Sequence, residues 1–567
     1  MKNIKATLGI FSLLFLVACA DLERELIPDL TEKQVIYSYD NTLYRVNSIY
    51  TDMPAGYLQI DGATTASASD EAEHTLETST VHKYNNGSWN AVDNPENLWG
   101  TFYRGIRKVN QFLSASDSVN LDQYRLDPAA SAQSVYNTRL ADIKRWKYEA
   151  RFLRAYFYFE LTKRYGGVPL LTRAYSIDDD FSTVKRASLA ECLQFITAEC
   201  DSAAANLPTL YAVADLGRAT KGAALALKSR ALLYAASDLF NTPSWAGGYP
   251  NPELISLTGD RAARWKAAAD AAKVVIDLAG AGYSLNSSYR NLFITNGYTS
   301  TEIIFTRRNA SGNAFERASY PVGYDLGQSG TTPSQNLVDA YEMKDGTPFN
   351  WSNPVHAANP YLNRDPRLGE SVLVNDTLFK GRKVEAFTGG KEGLGVFNAT
   401  KTGYYLKKYV NENLNLLQNN TSVQSWHLFR LSEIYLNYAE ALNEYSVGNA
   451  DIKRHVDLVR GRTGIAMPAL PAGLTQTQMR DKIRNERRIE LAFEDHRSWD
   501  VRRWLQGPQT LGAPLTGVSI VKKATGTGFV YTPIKVEDRT FTAKMYLYPI
   551  PQGEINTSKG LIQNPLW

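Results

Sequence analysis

Residues 137–165, NTRLADIKRWKYEARFLRAYFYFELTKRY, decide the fold of this chain. Apolar side chains recur there at helical spacing and line one face of a helix. The run stops at Gly166-Gly167-Val168-Pro169, a helix terminator followed by an extended exit. Working outward, further helices read at 96–113, 188–205, 217–239, 261–279, 426–446, 451–463 and 476–505. Several carry alanine where two helices must approach closely, as in Gly222-Ala223-Ala224-Leu225-Ala226-Leu227 and Leu436-Asn437-Tyr438-Ala439-Glu440-Ala441-Leu442. Helix-turn-helix repeats of the tetratricopeptide type alternate large and small residues in this way. Four such pairs fit the chain, without a clean repeat of about 34 residues. The expected fold is mainly α, a tetratricopeptide-like helix-pair scaffold with long loops and small β elements.

Two regions break the helical texture. Residues 56–98 and 280–425 are rich in Gly, Asn, Ser, Thr and aromatics. Loops of that length in a compact protein are usually kept for function, which makes these two the expected ligand face.

The first residues have a different role. Lys2 and Lys5 precede the apolar run Ile10-Phe11-Ser12-Leu13-Leu14-Phe15-Leu16-Val17, a signal segment too short to span a bilayer. It ends at Leu16-Val17-Ala18-Cys19, which resembles a bacterial lipobox and marks Cys19 for lipidation. Several acyl chains on that cysteine would anchor the protein firmly. The expected organisation is a signal peptide at 1–18, a lipidated tether at 19–38 and one folded body at 39–567.

The net charge of +4 falls to +2 once Lys2 and Lys5 are removed, which argues against a nucleic-acid partner. Cys192 and Cys200 lie eight apart in one helix, about 12 Å along its axis, too far for a disulfide. They are expected as free, buried thiols.

Signs of catalysis are sparse. The six histidines, His74, His82, His356, His427, His455 and His496, form no HxxH or HExxH pattern and no Cys/His cluster, so no metal site or cofactor is expected. The chain contains neither a GxSxG elbow nor a phosphate loop. Glu490 and Glu494 lie one turn apart, as a carboxylate pair for sugar hydrolysis would. They sit among Arg484, Arg487, Arg488, Arg497, Arg502 and Arg503, so ion pairing is the better account. Asp70-Glu71-Ala72-Glu73 and Asp178-Asp179-Asp180 lack the spaced pattern of a calcium loop and read as solvated acidic loops. The expectation is a protein that is not an enzyme.

Several blocks together resemble the SusD/RagB family of outer-membrane lipoproteins. The most recognisable is Glu149-Ala150-Arg151-Phe152-Leu153-Arg154-Ala155-Tyr156 followed by Tyr165-Gly166-Gly167-Val168-Pro169-Leu170. Leu337-Val338-Asp339-Ala340-Tyr341-Glu342, Arg364-Asp365-Pro366-Arg367-Leu368 and Val459-Arg460-Gly461-Arg462-Thr463-Gly464 follow in order. Arg484-Asn485-Glu486-Arg487-Arg488-Ile489-Glu490 and Tyr548-Pro549-Ile550-Pro551 complete the series. The resemblance implies a surface-exposed, lipid-anchored protein of the outer membrane that captures oligosaccharides for a SusC-like TonB-dependent transporter. RagB-like members take peptides instead, and a scaffold without ligand is a further alternative. The conspicuous blocks themselves, Glu149, Arg151, Arg154 and the 484–503 stretch, are expected to tie the scaffold together.

Sugars offer an apolar C–H face to aromatic rings and hydroxyls to Asn, Asp, Gln or Arg. Trp89 lies in the Gly/Asn-rich loop Asn85-Asn86-Gly87-Ser88-Trp89-Asn90, with Asn94 five residues on. The resemblance implies a stacking Trp and a hydroxyl-contacting Asn at that spacing, although the prototype's Arg two residues past the Trp is Ala91 here. It also places stacking residues just before 337–342, where Tyr289, Phe315, Tyr320 and Tyr324 are available. Trp245, in Pro243-Ser244-Trp245-Ala246-Gly247-Gly248, is a further exposed candidate, whereas Trp146, Trp265, Trp499 and Trp504 are expected in the core.

Overall fold

The computed structural model describes residues 37–567 apart from 177, 295 and 296. Cys19, the signal segment 1–18 and nearly all of the tether lie outside the described residues. The principal helices are α1 (Tyr39–Tyr50), α2 (Trp99–Ala115), α3 (Ala130–Tyr165), α4 (Leu189–Asn206) and α5 (Lys221–Ala236). They continue with α6 (Arg261–Ile276), α7 (Leu431–Tyr445), α8 (Ala450–Arg460), α9 (Gln476–Glu490) and α10 (Arg497–Arg503). From α2 to α8 each packs on the next, and α9 returns onto α7. This is the tetratricopeptide-like stack expected from the large/small alternation, and 277–430 forms one long excursion between α6 and α7.

Local chemistry explains the helix boundaries. From Phe152 to Tyr165 every residue of α3 is buried, so this half of the helix is enclosed on all sides. Gly166 ends it at φ +74°, where a Cβ would stand 2.3 Å from Leu254 O, so only glycine fits. Ser188 with Glu191 and Thr475 with Gln478 form capping boxes that start α4 and α9. Cys192 and Cys200 are free and buried.

Two expected helices are corrected. Residues Ser422–Arg430 form a strand paired antiparallel with Ile303–Gly312, and α7 begins only at Leu431. Its hydrogen-bonding partner is remote in sequence, and local periodicity cannot register it. The helix expected over 476–505 breaks after Glu490, where Phe493 and Asp495 take φ of +63° and +62°. The Glu490 carbonyl there accepts hydrogen bonds from Arg430 Nη2 at 2.7 Å and Tyr289 OH at 2.8 Å, which satisfies the helix end.

A buried ionic network joins scaffold to excursion. Arg430 pairs with Glu302, Glu490 and Glu494, Arg462 with Glu302 and Glu490, and Arg367 with Asp365, Glu486 and Glu490. Glu490 and Glu494 are therefore ion-paired, as expected, but to Arg367, Lys408, Arg430 and Arg462 from other segments and not to the arginines of 484–503. Glu149 accepts from Tyr50 OH at 2.8 Å and Tyr211 OH at 3.0 Å, while Arg151 and Arg154 both fork onto Glu199. These contacts tie α1, α3 and α4 to one another.

The acidic run 70–73 is also corrected. Asp70, Glu71 and Glu73 are buried; Asp70 is gripped by Arg488 and Arg497, and Glu73 by Arg539. Those cations lie more than 400 positions away, so the run looked solvated in isolation. The 178–180 loop has the expected character, with Asp178 and Asp180 exposed and Asp179 paired to Arg173.

Buried ion pairs within the scaffold, Glu160 with Lys163 and Arg164 and Glu440 with Arg503, predict acid lability. Burial alone would raise the carboxyls of Glu160 and Glu440, but Lys163 and Arg164 beside the first and Arg503 beside the second outweigh it and hold both at about 2. Each folded value lies below the usual 4.5, so the stabilisation is complete above that pH and is lost as pH falls toward about 2. The thermal midpoint should fall steeply across that window. A midpoint unchanged from pH 5 to about 2.5 would show that these pairs contribute nothing.

Candidate functional site

The two loop regions are joined by a short ladder. Ala72–His74 pairs antiparallel with Thr331–Pro333, in the register Ala72↔Pro333 and His74↔Thr331. Past the ladder, Thr75 N–H donates to Gly330 O at 2.9 Å. An ion pair of 2.8 Å between Lys401 and Glu77 draws in the 393–402 loop. Between these segments lies a groove of about 590 Å³. Leu58, Gly62 and His74–Leu76 form one wall, Asn313, Ala314, Arg317 and Ala318 the opposite one, and Gln328, Gly330 and Asn398 complete the lining.

The short helix Ala314–Ser319 orients its wall. It buries Phe315 against Tyr57, with ring centroids 4.7 Å apart, and presents Arg317 to the groove. Among the described residues the Arg317 guanidinium has neither an ion-pair nor a hydrogen-bond partner, so its donors are free for a ligand. His74 is buried and its Nδ1 has no hydrogen-bond partner. Burial, aided by His82, lowers its pKa to about 4, so a neutral imidazole faces the groove at neutral pH. Phe397, next in sequence to Asn398, is 86% exposed.

No carboxylate lines the groove among the described residues. Its polar groups are amides, one guanidinium, a hydroxyl and an uncharged imidazole, with Leu58 and Leu76 supplying apolar surface. This set suits a ligand that presents many hydroxyls beside C–H faces.

The aromatic residues expected to meet a ligand are placed differently. Trp89 is only 1% exposed, packed against Tyr84, Tyr548 and Trp567 with centroids 4.7–4.9 Å away. Asn94 Oδ1 accepts from Tyr84 OH and from Glu96 N–H, which spends it on shaping its own turn. Tyr289 is buried and donates to Glu490 O. Tyr320 and Tyr324 are buried against Phe379, and Phe315 lies under Tyr57. Trp245 is half-buried, with its indole N–H on Leu239 O and its ring against Tyr546. The exposure expected of these rings is therefore corrected, because each finds an aromatic or backbone partner from a distant segment. Phe315 and Tyr320 flank the wall of the groove formed by Ala314, Arg317 and Ala318.

Sequence spacing does not single out Arg317, Asn398 or His74, which line the groove, nor the exposed Phe397 next to Asn398. The signal for Phe397 was present, because Gly393-Leu394-Gly395-Val396-Phe397-Asn398 has the same Gly/Asn/aromatic texture that drew attention to Trp89.

Known proteins resemble this chain throughout. A family model described as the SusD family matches residues 301–567, and one described as starch-binding, associating with the outer membrane, matches 27–233. SusD-like protein P2 of Formosa agariphila is 24% identical over 527 residues, covering 90% of this chain and 92% of its own. The crystal structure of a SusD-like protein from Bacteroides fragilis superposes with a TM-score of 0.77 at 27% identity, over 94% of this chain and 98% of that one. A SusD-like carbohydrate binding protein from the same species gives 0.75 at 25%, over 93% and 100%.

Proposed function

Since the chain belongs to the SusD/RagB family, we propose that it captures oligosaccharides at the cell surface and passes them to a SusC-like TonB-dependent transporter. Cys19 carries the lipid anchor in this reading, and the protein faces outward from the outer membrane. The observation that supports it best is the groove between 58–76 and 313–330, lined by an unpaired guanidinium and the amides of Gln328 and Asn398, with no carboxylate among the described residues. A neutral glycan can satisfy such donors and acceptors while its C–H faces meet Leu58, Leu76 and the exposed ring of Phe397. The carbohydrate-binding relative from Bacteroides fragilis agrees with that ligand class.

The test is calorimetry or affinity electrophoresis against a panel of neutral glycans and peptides. One glycan should bind, and Arg317→Ala should weaken it at least about tenfold, since a hydrogen bond from a charged group is worth about 1.5–3 kcal/mol. Asn398→Ala should weaken it further, with the thermal midpoint unchanged in both variants. Binding of peptides alone would favour the RagB-like alternative. Full affinity in both variants would remove the groove from consideration.

A further inference from the structure

At the strand Ala72–His74, the side chains of Glu73, His82 and the remote Glu537 converge. Glu73 Oε1 lies 3.6 Å from His82 Nδ1, and a carboxylate oxygen of Glu537 comes within 4.8 Å of the ligand atoms on both. We propose that Glu73, His82 and Glu537 form a binding site for a zinc ion, which clamps the 73–82 loop to the hairpin made by Leu515–Lys522 and Phe529–Glu537.

Three features support this. The first is spacing. Zinc holds nitrogen and oxygen ligands at about 2.0–2.2 Å, so two ligands across a tetrahedral angle stand about 3.4 Å apart. The Glu73–His82 separation already matches, and Glu537 needs only a side-chain adjustment. The second is the state of the ring. His82 Nε2 lies 3.0 Å from Leu76 O, which places the proton on Nε2 and turns the Nδ1 lone pair toward Glu73. Metal-bound histidines are typically oriented through such a backbone carbonyl.

The third is Glu73 itself. Its side chain is 1% exposed, and its Oε1 lies 3.6 Å from His82 Nδ1. Its other oxygen accepts from Arg539 Nη2 at 3.0 Å, and Arg539 Nε also holds Glu537. One guanidinium thus serves two carboxylates, and a further positive charge beside them would lower the cost of burying Glu73. A divalent ion supplies that charge and binds the Glu73 oxygen that lies nearest His82. Arg539 then acts on the outer oxygens, orienting the ligands without occupying the site.

Sequence spacing gave no warning of this cluster, because Glu73 and His82 lie nine positions apart and Glu537 more than 450 further on. The proposal does not depend on the ligand that fills the groove.

The test uses the purified full-length chain, stripped with EDTA and titrated with zinc sulfate by calorimetry, with bound metal measured after buffer exchange. Wild type should retain one equivalent of zinc, and its thermal midpoint should rise with zinc and return with EDTA. His82→Ala should lose both responses, and Glu537→Gln should bind at least about tenfold more weakly. His82 is partly exposed, so its truncation leaves a folded protein, which circular dichroism will check. No retained zinc in wild type overturns the proposal. Equal uptake by wild type and both variants does so too, because the ion then sits on other histidines. A midpoint raised by calcium but not by zinc overturns the assignment of the ion.

Discussion

Replacing Glu490 by leucine is expected to lower the unfolding free energy by about 3–5 kcal/mol, the usual cost of removing one partner from a buried ion pair. Glu490 is completely buried and touches three guanidiniums, those of Arg367, Arg430 and Arg462. Despite burial, these cations hold its carboxyl well below the usual carboxylate range. Leucine fills a similar volume, so packing changes little. What changes is that Arg462 keeps only Glu302, while Arg430 and Arg367 each lose one anion. Arg367 and Arg430 belong to the long excursion and Arg462 to the scaffold that follows it, so their mutual repulsion acts on the joint between scaffold and loops.

Urea denaturation should show a lower midpoint at unchanged slope, the mark of lost stability without altered compactness. Glu490→Gln keeps the shape and part of the hydrogen bonding, and should cost less than leucine. A loss below about 1 kcal/mol for leucine would mean that the network is no more than a set of surface-like pairs.

Trp89→Ala is expected to cost about 3–5 kcal/mol, the range for truncating a large buried aromatic. The indole is enclosed by Tyr84, Tyr548 and Trp567, so alanine leaves a cavity that three rigid rings cannot readily fill. Its N–H has no hydrogen-bond partner, so the loss is one of packing. Trp89→Phe should therefore recover much of the stability, because phenylalanine restores most of the apolar volume. Thermal unfolding of both variants decides the matter. If Trp89→Ala kept full stability but lost glycan affinity, the ring would be serving the ligand after all, as its loop composition suggested.

Sequence and structure agree where the governing physics is local. The apolar spacing along 137–165 and its stop at Gly166-Gly167 describe α3 apart from an earlier start at Ala130. Helical phase is set within a few residues, so it can be read without knowing the neighbours. The many basic residues around Glu490 and Glu494 made ion pairing legible, but the partners themselves, Arg367, Lys408, Arg430 and Arg462, come from other segments. The family blocks pointed the same way.

The particular residues of the groove were not legible. Trp89 and Phe397 have almost the same local surroundings in sequence, yet one is enclosed and the other is 86% exposed. What separates them is whether a remote segment arrives to cover the ring, as the stretch ending in Tyr548 and Trp567 does for Trp89. The same holds for Ser422–Arg430, which became a strand because Ile303–Gly312 lies beside it. Asp70 and Glu73 were buried because arginines more than 400 positions away supply their counter-charge. The sequence alone determined the helical scaffold, its ionic composition and the two loop regions between which the groove lies. Only the tertiary structure decided which loop side chains meet solvent, because that depends on long-range packing and charge pairing that local pattern does not encode.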